Sequence, residues 1–285
     1  MTRTADPNSV VYDFEEFLDD SVAQFEQVTK AVELLTIASA KKLKLHRQVA
    51  SDALMRAAIG FESFRSDWHV RAINRAPAAF ENAVKEQITS EFSKKWGAAG
   101  LSAPTVELPP LTLNLVQALL DPHGTNVRGL TDPPDVIPGR NWKKKAASDL
   151  GEPFKSKALS LPNADLLLIN ALVRIRNAIA HRSASSLSAM NDALARPQMD
   201  AALKRDTNKV TVSGIGAYLG ATTSGKIRVV RYHERLREIA GKLLVSAPKK
   251  TSQTRLSGGP KKVATKSDAV PAKGSGLPAA RRQRL

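Results

Sequence analysis

From Asn163 onward the chain places Leu168, Leu172, Ile175 and Ile179 four, three and four residues apart. At about 100° of rotation per residue these side chains fall on one stripe of an α-helix, which commits the segment to burying that side against a neighbour. Pro162 stands just before it, Asn163 can cap free amides, and Asp165 can face the positive end of the helix dipole. The same helix then carries Arg174-Ile175-Arg176-Asn177-Ala178-Ile179-Ala180-His181-Arg182. Asn177 and His181 lie nearly above one another, whereas Arg176 and His181 are about 140° apart around the axis. One copy of the helix therefore presents its Arg and His awkwardly to a shared small ligand, and two copies facing each other remove that difficulty.

Other segments repeat the helical period, so the spacing predicts an all-α chain. Residues 11–45 carry Phe14, Leu18, Phe25, Val28, Val32 and Leu35, with Ser21 completing a near-heptad pattern. The pattern lasts too few heptads for a coiled coil, and a long core-packing helix is expected. Residues 48–74 place Leu54, Ala58, Phe61, Phe64 and Trp68 on one face and stop before Pro77. On this second helix Glu62 and Ser66 share a face at helical spacing. A carboxylate beside two core aromatics is either a plain surface group or the holder of a basic catalytic residue.

A further helix is expected at 78–96. Between residues 100 and 142 prolines interrupt any long element, leaving room for a short helix at 111–120. This Pro-rich insertion either lines a substrate groove, with Lys143, Lys144 and Lys145 behind it, or acts as a passive cover. Residues 183–204 read as an alanine-rich helix and 209–213 as a brief strand. A last amphipathic helix, 226–245, buries Val229, Leu236, Ile239 and Leu243. Arg228, Arg231, Arg235 and Lys242 form its opposite stripe, which is either a solvated face or a track for RNA phosphates.

Composition narrows the setting. With 285 residues and 42% hydrophobic content, the chain can bury a sizeable core. The pattern assigns this core to one helical domain at 11–246, after a flexible N-terminus at 1–10 and before a tail at 247–285. Cysteine is absent, which excludes disulfides, thiolate metal sites and thiol catalysis. No apolar run approaches a bilayer span and residues 1–8 lack a signal-peptide core, so a cytoplasmic protein without membrane partners is expected.

The formal charge is +16. Residues 249–285 hold ten Lys and Arg against the single acid Asp268, which places +9 of that charge there. With no aromatic residue the tail cannot bury enough surface to fold, and reads as a disordered cationic arm with non-specific affinity for nucleic acid. The remaining +7 makes the body basic as well and favours a polyanionic partner.

Two signals lead nowhere. Gly220-Ala221-Thr222-Thr223-Ser224-Gly225-Lys226-Ile227 nearly spells a phosphate-binding loop. Ile227, however, stands where a hydroxyl must reach magnesium, and too little foldable chain follows for the parallel sheet that such a loop needs. His46, His69, His123, His181 and His233 show no metal-ligand spacing, so neither a metal nor another cofactor is expected.

Arg176 followed by Asn177 and, four residues further, by His181 resembles the signature of the HEPN superfamily. The Phe61-Glu62-Ser63-Phe64 segment and the order of elements across 11–245 resemble its RiboL-PSP-HEPN-like branch. The resemblance implies a helical bundle that dimerises so that two motifs face one another, in many members a metal-independent endoribonuclease. It implies that Arg176 neutralises the scissile phosphate, His181 transfers protons, Asn177 orients one of them and Glu62 supports the site. Arg182 would add RNA contact. Toxin or antiviral roles, with an antitoxin or defence partner, belong to the same implication. Ser183 occupies the position where some relatives carry a Tyr that an antitoxin modifies. The alternative is a non-catalytic module that binds RNA or a partner through the same dimer.

The chemistry stands without the family. Cleaving RNA by its own 2'-hydroxyl requires a base, an acid and positive charge on the phosphorane-like transition state. An imidazole of ordinary pKa about 6.5 serves either proton role near neutrality, and a fixed guanidinium supplies permanent charge. The competing structural account of Arg176, His181 and Arg182 is that cations are favourable near a helix C-terminus by a few tenths to about 1 kcal/mol.

Overall fold

A computed structural model describes residues 6–120, 138–205 and 211–246. The chain divides into two units, Met1–Ser246 and Ala247–Leu285, and the expected cationic arm lies outside the described residues. The described part of the first unit is mostly helical, in line with the periodicity. No described helix is long and apolar enough to cross a membrane.

Helices α1 (Pro7–Leu34) and α2 (Ser39–Arg75) form a long antiparallel hairpin. Two sequence expectations are corrected at this point. The N-terminus is not loose up to residue 10, because Asp6 accepts a hydrogen bond from the Asn8 amide and Pro7 opens α1. Nor does one helix run from 11 to 45. Leu35 leaves the helical region (φ −67°, ψ 135°), β-branched Thr36 and Ile37 follow, and Ser39 to Leu45 open α2 instead. Glu33 then ties the corner, accepting from Lys42 at its carbonyl and pairing its carboxylate with His46 at 2.7 Å.

Phe14, Leu18 and Phe25 of α1 share one buried cluster with Leu54, Phe61 and Phe64 of α2, Val32 is buried apart from it, and Val28 and Leu35 are exposed. Phe14 stacks on Phe64 with ring centroids 4.5 Å apart. Ser21, the polar member of the α1 stripe, is buried because it serves a histidine on the last helix. The Nδ1–H of His233 donates to the Val229 carbonyl at 2.8 Å, which leaves Nε2 to accept the Ser21 hydroxyl at 3.0 Å.

Helix α3 (Ala78–Trp96) follows Pro77, and α4 (Leu113–Leu120) is the short helix foreseen in the Pro-rich segment. The insertion does not continue to residue 142, however. Helix α5 (Pro138–Asp149) is a core element whose Trp142 and Ala146 are buried one turn apart, with Leu150 buried just past its end. The Trp142 indole N–H donates to His69 Nδ1 at 3.2 Å, so His69 is the neutral Nε2–H tautomer and donates to Asp149 at 3.3 Å. Burial holds the pKa of His69 below its ordinary value, against the opposing pull of Asp149. Lys143 does not back a groove, since its ammonium donates to the Leu159 and Leu161 carbonyls.

Helix α6 (Phe154–Leu159) leads to α7 (Asn163–His181), the helix of the Arg-Asn-x3-His motif. Its Leu168, Leu172 and Ile175 are buried and Ile179 packs partly against the core. Pro162 occupies the N-cap, so Asn163 does not cap the helix. Asp165, rather than merely facing the dipole, is fully buried and ion-paired with Arg235 and Lys242.

After α7 comes α8 (Ala184–Leu194), capped by the Ser183 hydroxyl. The helix expected at 183–204 ends ten residues early because Pro197 forbids its continuation and disfavours helical backbone at Arg196. The strand expected at 209–213 is absent in its described part. The Asn191 side chain brackets Val212 instead, accepting from its amide at 2.7 Å and donating to its carbonyl at 3.1 Å.

Helix α9 (Ile215–Gly220) crosses α2 at backbone contact, since a Cβ on Gly216 would sit 2.3 Å from the Arg47 carbonyl oxygen. The false phosphate loop is a β-hairpin pairing β1 (Thr222–Thr223) with β2 (Lys226–Ile227). Positive φ at Ser224 (50°) and Gly225 (78°) makes its tight turn. Helix α10 (Arg228–Lys242) closes the bundle, and Asn8 exchanges two hydrogen bonds with the Val245 backbone, at 2.8 and 3.0 Å.

Candidate active site

The motif occupies the last turns of α7, where the apolar stripe gives way to polar groups. Ile175 and Ala178 remain in the core, and the opposite side presents Val173, Asn177 and Ala180. Arg176 and His181 flank that outward side, one on each edge, separated by about 140° and a rise of about 7.5 Å.

Glu62 of α2 reaches Arg176. The Arg176 Nη2 donates to Glu62 Oε1 at 2.5 Å, with the Glu62 side chain 7% exposed and the Arg176 side chain 28% exposed. The surface alternative for Glu62 is thereby set aside: the carboxylate is buried and holds a guanidinium from the motif. Phe61 and Phe64 explain the burial, because both rings turn into the α1 stack and draw the residues between them toward the core. Arg176 Nη1 has no partner among the described residues.

Asn177 is half-buried and His181 is exposed, and neither has a hydrogen-bond partner among the described residues. Arg182 follows in the left-handed region (φ 51°, ψ 22°), its amide donating to the Ala178 carbonyl at 3.1 Å. This conformation costs a non-glycine residue on the order of 1 kcal/mol or more. It ends α7 abruptly, so His181 sits at a corner with α8 leading away. Within a single chain no described group spans the gap between His181 and Arg176.

The three arginines expected as an RNA track on α10 are bonded inside the fold. Arg228 donates to the Ala202 and Tyr218 carbonyls and lies over the Tyr218 ring. Arg231 donates to the Thr223 and Ser224 carbonyls and so fastens the hairpin to the helix. Arg235 pairs with Asp165, Asp200 and Glu238. Asp165 lies sixteen residues before His181 on α7, about 24 Å along the axis, so Arg235 and Lys242 belong to the far end of that helix. The structure pairs Glu62 with Arg176 beside Asn177, and places His181 and Arg182 at the end of the same helix, whereas Arg235 lies at that helix's far end.

An open groove of about 400 Å³ borders the motif where α2, α7, α8 and α9 meet. Lys44 and Arg47 of α2 stand on its rim with Arg182, and Ile179, Leu187 and Ile215 line its floor. Lys44 and Arg47 were not singled out in the sequence, although the basic run Lys41-Lys42-Leu43-Lys44-Leu45-His46-Arg47 was there to be seen. Among the described residues no group of three or more His, Asp or Glu converges as a metal site, and His123 lies outside them. No family model, curated protein or solved structure matches this chain.

Proposed function

We propose that the protein is a metal-independent endoribonuclease of the HEPN type, acting as a homodimer in which two copies of α7 face one another. The observation that carries this reading is the Glu62–Arg176 ion pair on one edge of α7 with an exposed, unpartnered His181 on the other. A guanidinium anchored through one nitrogen and open at another is held ready for a phosphate oxygen, as transition-state stabilisation requires.

In this mechanism one His181 removes the proton from the 2'-hydroxyl, whose oxygen attacks the adjacent phosphorus. The bond from phosphorus to the 5'-oxygen breaks, the second His181 protonates the leaving oxygen, and the products are a 2',3'-cyclic phosphate and a 5'-hydroxyl. Arg176 neutralises the phosphorane-like charge, Glu62 positions Arg176, and Asn177, one turn below His181 on the same side of the helix, orients one of them. The separation of Arg176 from His181 within one chain becomes the reason for dimerisation. The outward side of α7 suits such a meeting, since Val173 and Ala180 are small enough for a second helix to approach.

The test is incubation of the full chain with mixed RNAs in excess EDTA. Cleavage to cyclic-phosphate ends that disappears in His181→Ala supports the reading, and RNA that stays intact with wild-type protein overturns it. Titrating His181→Ala subunits into wild-type protein then tests the composite site, since a mixed dimer keeps only one of the two histidines and is expected to lose cleavage. A toxin or antiviral role, with an antitoxin or defence partner, is a further part of the proposal and carries no observation of its own.

A further inference from the structure

Beside the motif lies the groove bounded by Lys44, Arg47 and Arg182, and its chemistry is not needed for bond cleavage. Its cations come from two separate segments, α2 and the end of α7, and converge on one rim. None of the three has an ion-pair partner among the described residues, in contrast to the α10 arginines, which are all engaged. Asp52 is the lone acid on the lining, so the rim is net positive.

Two features show that this convergence is built into the fold. Arg182 occupies a left-handed backbone position that glycine or asparagine would fill at lower cost, so a long cationic side chain is kept there despite strain. Gly216 permits α9 to lie against the Arg47 backbone, and any side chain at that position would force α9 away and splay the groove. The floor of Ile179, Leu187 and Ile215 is apolar and bears no charge. A cationic rim over an apolar floor suits a chain of alternating phosphates and exposed bases; a duplex hides its bases and has no use for such a floor.

We propose that this groove binds the single-stranded RNA segment leading away from the bond placed at His181, with Lys44, Arg47 and Arg182 on successive phosphates. It rests on the ribonuclease reading for the identity of the polymer, and its test is independent of cleavage. The groove lies next to the motif, Arg182 being the residue after His181, so one strand occupies both. Selection of unpaired RNA follows, because a duplex cannot enter a groove of this size.

The absence of cysteine makes a local test available. Gln48, exposed on the groove lining, is replaced in an otherwise full-length His181→Ala chain by Gln48→Cys, giving a single thiol. Its alkylation rate is measured with and without a 12-nucleotide single-stranded RNA, beside a control carrying Ser93→Cys on α3 instead. The expected result is at least fivefold protection at position 48 and none at 93. Removing the cations by Lys44→Ala, Arg47→Ala and Arg182→Ala abolishes the protection and lowers the slope of log affinity against log salt by about 2. The matched variant Lys30→Ala, Lys94→Ala, Lys95→Ala leaves the protection intact.

Equal alkylation with and without RNA overturns the proposal, as does equal protection by a duplex of the same length or by poly-glutamate. Should the groove protect as expected while wild-type protein leaves RNA uncut, the ribonuclease reading fails and the binding site stands. The reverse pattern, cleavage without protection, removes the groove and spares the enzyme.

Discussion

Replacing Glu62 by Gln keeps the size of the side chain and deletes the charge that holds Arg176. Exposed ion pairs contribute about 0.2–1 kcal/mol, and breaking a fully buried pair costs about 3–5 kcal/mol. With Glu62 at 7% and Arg176 at 28% side-chain exposure, the pair lies between these limits. Arg176 regains part of its hydration when Glu62 is lost, which reduces the penalty. A coupling of about 1–3 kcal/mol follows, in line with a charge-assisted hydrogen bond. At about 2–4 °C per kcal/mol for a domain of this size, Glu62→Gln lowers Tm by roughly 2–12 °C. The assay is a double-mutant cycle of wild type, Glu62→Gln, Arg176→Gln and the double variant, each unfolded in urea. On the proposed mechanism, cleavage by Glu62→Gln falls by about 10- to 100-fold, the loss typical of removing a group that orients another. Coupling below about 0.5 kcal/mol would refute the claim that Glu62 fixes Arg176, whatever happens to activity.

Four further outcomes follow from the packing. Gly216→Ala must displace α9 from the Arg47 carbonyl and is expected to destabilise by about 1–3 kcal/mol. Gly241→Ala in α10, with its nearest neighbour at 3.7 Å, is expected to stabilise by about 0.5–1 kcal/mol, and thermal melts showing the opposite order would contradict the contact described. Burial lowers the pKa of both His69 and His233 below the usual 6.5, so the unfolded chain takes up protons first as pH falls. Stability is therefore fully present above pH 6.5 and declines below it, by at most about 1.4 kcal/mol per pH unit for each histidine. Urea midpoints at pH 7.5, 6.5 and 5.5 measure this decline, and a flat series would speak against neutral buried imidazoles. Arg235→Gln leaves buried Asp165 with Lys242 alone; a loss of about 1–3 kcal/mol with an unchanged salt slope for RNA binding is expected. A reduced slope would return Arg235 to the RNA track.

The helical period made α7, the core face of α2 and α10 readable in advance, because each has three or more large apolar residues on one stripe. Helix α5 escaped notice because its stripe is one residue wide, Trp142, Ala146 and Leu150, amid Lys143, Lys144 and Lys145. The corner after Leu34 was equally obscure, since leucines continue across it and carry the apolar pattern without a glycine or proline to mark the break. At the site, Arg176 and His181 were legible from the motif, whereas the partnership of Arg176 with Glu62 joins residues far apart in the chain. The bonding of the α10 arginines was hidden for the same reason: a charge stripe on a helical wheel does not reveal that carbonyls and carboxylates of other elements already engage it.

The mutual hydrogen bonds between Asn8 and the Val245 backbone bring the first and last helices of the body to the same point in space. Topologically the body is a ring that happens to be cut there. A chain joined across that seam by a short linker and reopened at residues 35–38 retains every tertiary contact in a new order. The α1 and α2 hairpin, now the most local pairing, becomes the most distant in sequence, while α10 and α1 become neighbours. Such a permuted chain is expected to keep the stability of the original and to reach it more slowly, since the largest interface must then close the longest loop.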